Sequence, residues 1–355
     1  MKKIIAMLLA LVMVLSFAAC GGEKAPETTA PAGETAPAGE TTPADPGQAT
    51  EPVADAELTV ALVVAGTFGD QAFYDNSRAG CQKLAEDFGI TLKEIECNNE
   101  GHEQQIYNAS DAADIVVLVG WEFWPIETVA PEYPDVKYVW VDNVTSAPIE
   151  NVLCIPYAQN EGSFLAGYVA GKMSTSGVVG AVGGEDSATI NDFIVGFSQG
   201  AKYANPEIEV VTNYANTYDD PAIGKECALA LYDKGAAVIF QVCSKAGEGV
   251  FAAAQEKNFY AVGVDSDQKY IAPDVIICSM IKEVGKSIYD AIAKHIGGDE
   301  SLWGTTWLAD MSNNYIGVAY GTDGEGVQVP DEIKAEVEAL AGQILSGEIV
   351  VDTTR

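Results

Sequence analysis

The chain has 355 residues, and 52 acidic side chains against 19 basic ones give it a formal net charge of −33. A surface this acidic repels the phosphate backbone of nucleic acids and anionic lipid headgroups, so we expect neither as a partner. Some three hundred residues follow an N-terminal stretch of low complexity, and this length suits two lobes built around two cores.

Residues 1–20 have the pattern of a bacterial secretory signal. Lys2-Lys3 precede an apolar stretch, and Ala18-Ala19 stand directly before Cys20, an arrangement that resembles the lipobox of lipoproteins. A transmembrane helix needs about 20 apolar residues, and this run is too short before Gly21-Gly22. We therefore expect cleavage ahead of Cys20, lipidation of its thiol, and anchoring on the extracytoplasmic face of the cell membrane.

Residues 21–56 are rich in Pro, Thr, Ala, Gly and Glu and contain no aromatic side chain. Such a segment cannot bury enough apolar surface to offset the entropy of ordering. The composition predicts a disordered, acidic linker that holds a folded domain away from the membrane. A glycosylated, mucin-like stalk is the alternative for its Thr-rich part.

Six cysteines follow Cys20, and none forms a C-x-x-C pair: Cys81, Cys97, Cys154, Cys227, Cys243 and Cys278. Most lie in apolar contexts, where a free cysteine behaves as a small core residue. We expect buried thiols. Disulfides remain the alternative because the protein is predicted to be exported.

The remaining chain alternates short apolar runs with helical patterns. The predicted strands are continuously hydrophobic, which is typical of strands covered on both faces of a parallel sheet: 58–64, 115–119, 138–141, 178–182, 238–241 and 261–264. The predicted helices include Phe73–Phe88, with Ala79, Leu84 and Phe88 on its apolar face, and Glu161–Met173. Repeated units of this kind predict a doubly wound α/β fold.

The segments that follow these strands are polar and aromatic: 66–74, 120–124, 142–143, 183–186, 244–249 and 265–268. In doubly wound sheets, ligands bind beyond the carboxyl ends of the strands. Aromatic planes and carboxylates, with glycines that allow close backbone approach, suit a flat ligand that carries hydroxyl or N–H donors.

Several segments in order carry a specific resemblance: EGSFLAGY at 161–168, GFSQGAK at 196–202, YDDPA at 218–222, GVDSDQ at 263–268 and the C-terminal run 329–349. From about Leu58 onward the chain resembles the basic membrane protein family of ABC-transporter solute-binding lipoproteins, whose characterised members bind purine nucleosides. The resemblance implies a solute-binding protein that works with permease and ATPase subunits on other chains, as a monomer and without a cofactor.

The resemblance also implies a type I periplasmic-binding-protein fold, an α/β fold of two Rossmann-like lobes with parallel sheets, joined by three crossovers around a ligand cleft. We expect this domain at 57–355. Lobe 1 is expected at about 57–158 with a returning segment near 282–310, and lobe 2 at about 159–281 with part of the C-terminal segment.

Residue by residue, the resemblance implies a nucleoside site. Asp265 accepts hydrogen bonds from ribose hydroxyls, and Lys282 binds the sugar from the other side. Phe73 and Phe193 occupy the positions of rings that sandwich the base, and Gly247 lies in a glycine-rich loop near the ligand.

One segment departs from the family. Family members commonly read Asp-Asp-Lys-Ser-Phe-Asn after the first strand, where this chain reads GDQAFY at 69–74. Asp70 and Phe73 are retained, but Tyr74 replaces the Asn that contacts the purine. A lost amide changes which base is favoured, since an unmatched buried polar group costs about 1 to 3 kcal/mol. Trp121, at a position where the family more often has Phe, enlarges the stacking surface. The base specificity is therefore open.

Structural roles are the alternatives for these residues. Phe193 and Phe197 have the spacing of a helix core stripe. Asp265 has the position of a helix N-cap. Lys282 has an acid beside it in Glu283, and the aromatic cluster around Trp121 is also suited to covering a core.

A serine hydrolase is the competing class, because residues 196–200 read G-F-S-Q-G and His295 lies downstream. A nucleophile elbow needs a sharp turn between a strand and a helix, whereas Ser198 lies within a helical pattern. We therefore expect no enzyme. A ligand-sensing lipoprotein, or a binding protein for another hydroxylated ligand such as a sugar, remains an alternative.

Overall fold

The computed structural model describes residues 58–354. The predicted signal peptide with Cys20, and the linker at 21–56, lie outside the described residues. Among residues 58–354, no helix is both long enough and apolar enough to span a bilayer.

The first sheet is wholly parallel, with strand order β2-β1-β3-β4-β5. Its strands are β1 (Thr59–Val64), β2 (Thr91–Glu96), β3 (Ile115–Val119), β4 (Lys137–Val141) and β5 (Val152–Ile155). Its helices are α1 (Phe73–Phe88), α2 (His102–Ser110) and α3 (Ile126–Val129). Every residue of β3 is buried, as expected for a central strand covered on both faces.

The second sheet has strand order β11-β10-β9-β8-β6-β7 and is parallel except where β11 pairs with β10. Its strands are β6 (Val178–Gly183), β7 (Glu209–Tyr214), β8 (Val238–Val242), β9 (Tyr260–Asp265), β10 (Ile276–Lys282) and β11 (Ile316–Ala319). The remaining helices are α4 (Gln159–Met173), α5 (Ala188–Ala204), α6 (Pro221–Asp233), α7 (Gly247–Lys257), α8 (Val284–Ile296) and α9 (Asp331–Leu345).

The chain passes between the two sheets three times: at 156–158, at Glu283 and at 310–315. After β10 it returns to the first sheet, where α8 packs against α1 and residues Thr306 and Ala309 bridge to the end of β5. The contact between α1 and α8 is backbone on backbone, since a Cβ on Gly80 would lie 2.1 Å from the Gly285 carbonyl oxygen. This is the type I periplasmic-binding-protein fold. We call the part around the first sheet lobe 1 and the part around the second sheet lobe 2.

The bounds predicted for α1 and the burial of Leu84 are confirmed, but the other two residues predicted for the apolar face are not buried. Ala79 and Phe88 are exposed, and the buried residues are Tyr74, Ser77, Cys81 and Leu84. These have the spacing of a helix stripe. Ser77 is tolerated in the stripe because its hydroxyl donates to the Phe73 carbonyl at 2.7 Å.

The prediction of buried thiols is confirmed. The cysteines of the described region are free and buried. Burial raises the pKa of the Cys81, Cys97 and Cys278 thiols to about 12, so these groups are unreactive at neutral pH.

Candidate ligand-binding site

A cavity of about 670 Å³, partly open to solvent, lies between the lobes at the carboxyl ends of their strands. Lobe 1 lines it with Phe73, Tyr74, Gly120, Trp121, Glu122 and Asp142, and lobe 2 with Glu185, Ser187, Thr189, Ile190, Phe193, Tyr218, Val242, Ser244, Val264, Asp265 and Lys282.

Two aspartates enter the cavity from opposite lobes with the same unusual backbone. Asp142 follows β4 with φ 71°, and Asp265 ends β9 with φ 64°. Non-glycine residues rarely adopt this left-handed conformation, and such strain is concentrated at functional sites. The backbone of each lobe is therefore held in a conformation that presents a carboxylate at its strand exit.

Lys282 is the last residue of β10 and is buried beneath the cavity. Its Nζ lies 2.9 Å from Asp142 Oδ2, rather than beside Glu283. The ammonium also lies 4.9 Å from the Phe73 ring centroid and 5.3 Å from that of Phe193. The two phenylalanines, which come from α1 and α5, therefore border the same space.

Buried carboxylate oxygens without a hydrogen-bond partner are concentrated here. Across residues 58–354, five buried side-chain oxygens lack a partner, and three of them belong to cavity-lining residues: Glu122 Oε2, Asp142 Oδ1 and Asp265 Oδ1. An unsatisfied buried acceptor costs about 1 to 3 kcal/mol. A ligand that donates hydrogen bonds to these oxygens would recover that free energy.

Two of these carboxyls have raised pKa values because they are buried. Burial raises the pKa of Asp265 to about 7; nearby Lys282 opposes the rise, and Asp142 adds to it. Burial likewise raises the pKa of Glu122 to about 7, with contributions from Glu185 and Asp142. Perturbed carboxyls of this kind are typical of binding sites.

Asp70 and Gly247 do not line the cavity. The Asp70 carboxylate accepts hydrogen bonds from the backbone N–H groups of Ala72, Tyr74 and Asp75 and from Ser244 Oγ, so it positions the start of α1. Gly247 opens α7, where a Cβ would lie 2.1 Å from Gln241 Oε1. The other predicted residues meet at the cavity, and Trp121, 47% exposed, lies at its rim.

Hydrogen bonds join the lobes around the cavity. Gln71 makes several of them: its Nε2 donates to Glu248 at 3.1 Å, its carbonyl accepts from Gln268 Nε2 at 3.1 Å, and its Oε1 accepts from Tyr270 at 3.0 Å. Asn99 Nδ2 donates to Asp219 of lobe 2 at 2.7 Å. These bonds hold the two lobes together beside the cavity.

The G-x-S-x-G match is explained by helix packing. Ser198 lies inside α5, without the turn between a strand and a helix that a nucleophile elbow needs. A Cβ on Gly196 would lie 2.2 Å from the Asn160 carbonyl oxygen, and one on Gly200 would lie 1.9 Å from that of Phe164. The glycines thus allow α5 to pack against α4. His295 lies in the last turn of α8, and its Nδ1 is 2.7 Å from Glu300 Oε1.

Sequence reasoning noted the strand exits that carry Glu122, Asp142 and Glu185 and connected Glu122 with a site around the aromatic cluster at Trp121, but it assigned none of the three residues a specific ligand contact. Tyr218 was recognised only within a family segment. Their position after strands was the available signal. Asp142 directly follows β4, and Glu122 is the third residue after β3.

Comparisons with known proteins agree with this architecture. Residues 57–355 match the family described as ABC transporter substrate-binding protein PnrA-like. Basic membrane protein A2 of Borrelia garinii subsp. bavariensis is 32% identical over 298 residues, covering 82% of this chain and 87% of that protein.

Solved structures agree as well. A solute-binding protein of an ABC transporter system from Aeropyrum pernix K1 has a TM-score of 0.75 at 26% identity, covering 84% of this chain and 94% of that one. GanP, a glucose-galactose binding protein from Geobacillus stearothermophilus, shares the fold, with a TM-score of 0.56 at 17% identity and coverage of 76% and 99%. The chain therefore belongs to the PnrA-like family of ABC-transporter substrate-binding proteins.

Proposed function

We propose that the chain captures a purine nucleoside by closure of its lobes and delivers it to the permease and ATPase subunits of an importer, while a lipid on Cys20 holds it on the extracytoplasmic face of the cell membrane. Family membership supports the role in solute capture. The nucleoside, the closure on binding and the anchor are the proposed parts.

The observation that carries the proposal is the unpartnered Oδ1 of Asp265, 94% buried as a residue, on a strand next to the one that ends in Lys282. A carboxylate accepts from vicinal hydroxyls, and a lysine donates to a hydroxyl or ring oxygen. Ribose offers both kinds of group. Phe73 and Phe193 border the space around the Lys282 ammonium, and their faces suit a flat base.

The charge of the cavity disfavours anionic ligands. Its lining carries Glu122, Asp142, Glu185 and Asp265, while Lys282 is already paired with Asp142. A nucleotide phosphate placed here would meet carboxylates rather than free cations. We therefore propose the nucleoside rather than the nucleotide.

A sugar is the second candidate, because proteins of this fold include a glucose-galactose binder. The likeness at that identity extends to the fold alone. The specific feature that favours a nucleoside is the aromatic lining contributed by both lobes, with Trp121 and Tyr218 added to the two phenylalanines.

A thermal-shift screen of nucleosides, free bases and sugars tests the proposal, with calorimetry on every hit. A ligand at 100 times its Kd stabilises the protein by about 2.7 kcal/mol. Asp265→Asn is expected to weaken nucleoside binding more than tenfold, whereas exposed Asp267→Asn is the matched control. Stabilisation by hexoses but by no nucleoside would overturn the proposal.

The transport role has a separate readout. Cells that lack the chain are expected to lose high-affinity uptake of the nucleoside identified in the screen. Unchanged uptake with intact binding would assign the chain to ligand sensing instead.

A further inference from the structure

Besides Asp265 and Lys282, the cavity has a second polar centre at Glu122. This residue lies in a short helical turn, Trp121–Phe123, that follows β3 through Gly120. The Glu122 carboxyl packs against the backbone of Gly120 because that residue has no side chain. A Cβ on Gly120 would lie 2.4 Å from Glu122 Oε2. The Oε2 atom is buried and without a partner, on a residue that lines the cavity.

The groups around Glu122 are acidic or phenolic. Asp142 and Glu185 raise its pKa, and its own charge adds to the raised pKa of Tyr74, Tyr218 and Cys97. Burial and the nearby charge of Glu185 raise the pKa of Tyr218. Of the described residues that line the cavity, Lys282 is the one basic side chain, and it is paired with Asp142. Among residues 58–354, Glu122 therefore has no cationic partner.

We propose that Glu122 selects the base of the bound nucleoside, taking the edge of a guanine-type purine that carries two neighbouring N–H donors in preference to an adenine-type edge. The inference rests on the proposed nucleoside function and adds a specificity determinant to the same cavity.

The chemistry follows from donor and acceptor counts. An ionised carboxylate only accepts, and its two oxygens match two parallel N–H donors in a charge-assisted, bidentate arrangement. Guanine offers such a pair at N1–H and the N2 amino group. Hypoxanthine offers only N1–H. Adenine places an acceptor, N1, beside its N6 amino group, so an ionised Glu122 would face a lone pair. The expected order of affinity is guanosine, then inosine, then adenosine.

The protonation state of Glu122 provides a further test of base selection, because it changes which hydrogen bonds the carboxyl can make. A protonated carboxyl presents one donor and one acceptor, which is the complement of adenine. Because the pKa of Glu122 is about 7, raising the pH from 6 to 8 is expected to increase the preference for guanosine over adenosine. Glutamine keeps one donor and one acceptor at every pH, so Glu122→Gln is expected to abolish this pH dependence and to favour adenosine.

The experiment is calorimetric titration of the full chain with guanosine, inosine and adenosine at pH 6 and pH 8. The wild type is expected to prefer guanosine at pH 8 by about tenfold, the scale of one unmatched buried polar contact. Glu122→Gln should reverse the order. Exposed Glu103→Gln, on α2 of the same lobe, is the control and should match the wild type.

Two outcomes overturn the inference in distinguishable ways. If nucleosides bind but Glu122→Gln leaves the guanosine-to-adenosine ratio and its pH dependence unchanged, the assignment of Glu122 is wrong and the proposed function stands. If no nucleoside binds the wild type, the proposed function fails and the assignment fails with it. Glu122→Leu provides a second variant, expected to lower the affinity for guanosine more than that for adenosine.

Discussion

Lys282 Nζ and Asp142 Oδ2, 2.9 Å apart, form a buried ion pair that joins the two lobes. Lys282 ends β10 in lobe 2, and Asp142 follows β4 in lobe 1. The pair lies beneath the cavity, where the rings of Phe73, Tyr157 and Phe193 surround the ammonium. The ion pair therefore joins the two lobes at residues that also line the cavity.

Removal of the aspartate should destabilise the closed protein. Asp142→Asn removes the carboxylate that lies 2.9 Å from the buried Lys282 ammonium, and breaking a buried ion pair costs about 3 to 5 kcal/mol. Urea unfolding is expected to show a loss of this size for Asp142→Asn and little change for exposed Asp135→Asn. The double variant Asp142→Asn/Lys282→Met should recover part of the loss. Simple additivity of the two single losses would contradict a direct coupling.

Asp265 should make stability fall as the pH rises. Its pKa is about 7 in the folded protein, against an ordinary value of 3.8, so the folded state binds more protons than the unfolded state between these values. This contribution to stability is complete below about pH 4 and is lost as the pH rises to about 7. Lys282, Asp142 and Asp70 are the charged groups that act on it.

The measurement for this prediction is the free energy of unfolding of wild type and Asp265→Asn from pH 4 to pH 8, without ligand. The wild type should lose stability relative to the variant over that interval, because the variant has no carboxyl to ionise. Parallel pH profiles would show that Asp265 titrates normally.

The sequence predicts six of the eleven strands in residues 58–354 and misses β2, β5, β7, β10 and β11, of which β5 is apolar and wholly buried but only four residues long. The pattern 91–96 contains Lys93, Glu94 and Glu96 because β2 lies at the edge of its sheet, where one side is uncovered. Strand β10 was missed for another reason. It is buried, but its sequence contains the polar residues Ser279 and Lys282, which lie in the interior and at the cavity.

The sequence predicts which segments contribute residues to the site, but not which side chains pair with each other. Strand exits indicated which segments reach the cavity, since parallel strands end at one edge of a sheet. Nothing local indicates that Lys282 pairs with Asp142, because the two residues belong to different lobes. Asp70 was predicted as a ligand contact, but its carboxylate is used by backbone N–H groups at the start of α1.

Gln71 should control how long a ligand stays bound. Its side chain is hydrogen-bonded to Glu248 and Tyr270 of the other lobe, so separation of the lobes would break both bonds. Gln71→Ala is expected to raise the dissociation rate of the bound nucleoside severalfold, at about 0.5 to 1.5 kcal/mol per bond, with a smaller change in association. Stopped-flow fluorescence measures both rates. Gln104→Ala, on α2, is the control.

The proposed lipid anchor is tested at Cys20. Lipidation and processing at this residue are expected to hold the protein at the membrane, so Cys20→Ser should give an unprocessed or released protein. Cell fractionation and the mass of the mature N-terminus measure this. A Cys20→Ser protein that is still processed and still bound to membranes would contradict the lipoprotein interpretation.

In the segment 196–200, added side-chain volume at a glycine should lower stability, whereas loss of the Ser198 hydroxyl should have no effect. Gly200→Ala would place a Cβ about 1.9 Å from the Phe164 carbonyl oxygen, so α5 would have to move away from α4. We expect a loss of about 3 kcal/mol or more in the free energy of unfolding, at the upper end for overpacking. Ser198→Ala should leave both stability and ligand affinity unchanged, because Ser198 is absent from the cavity lining. Urea unfolding and calorimetry of the two variants decide between the interpretations: a neutral Gly200→Ala would contradict the close packing of the helices, and a large loss of binding in Ser198→Ala would restore the nucleophile as a candidate.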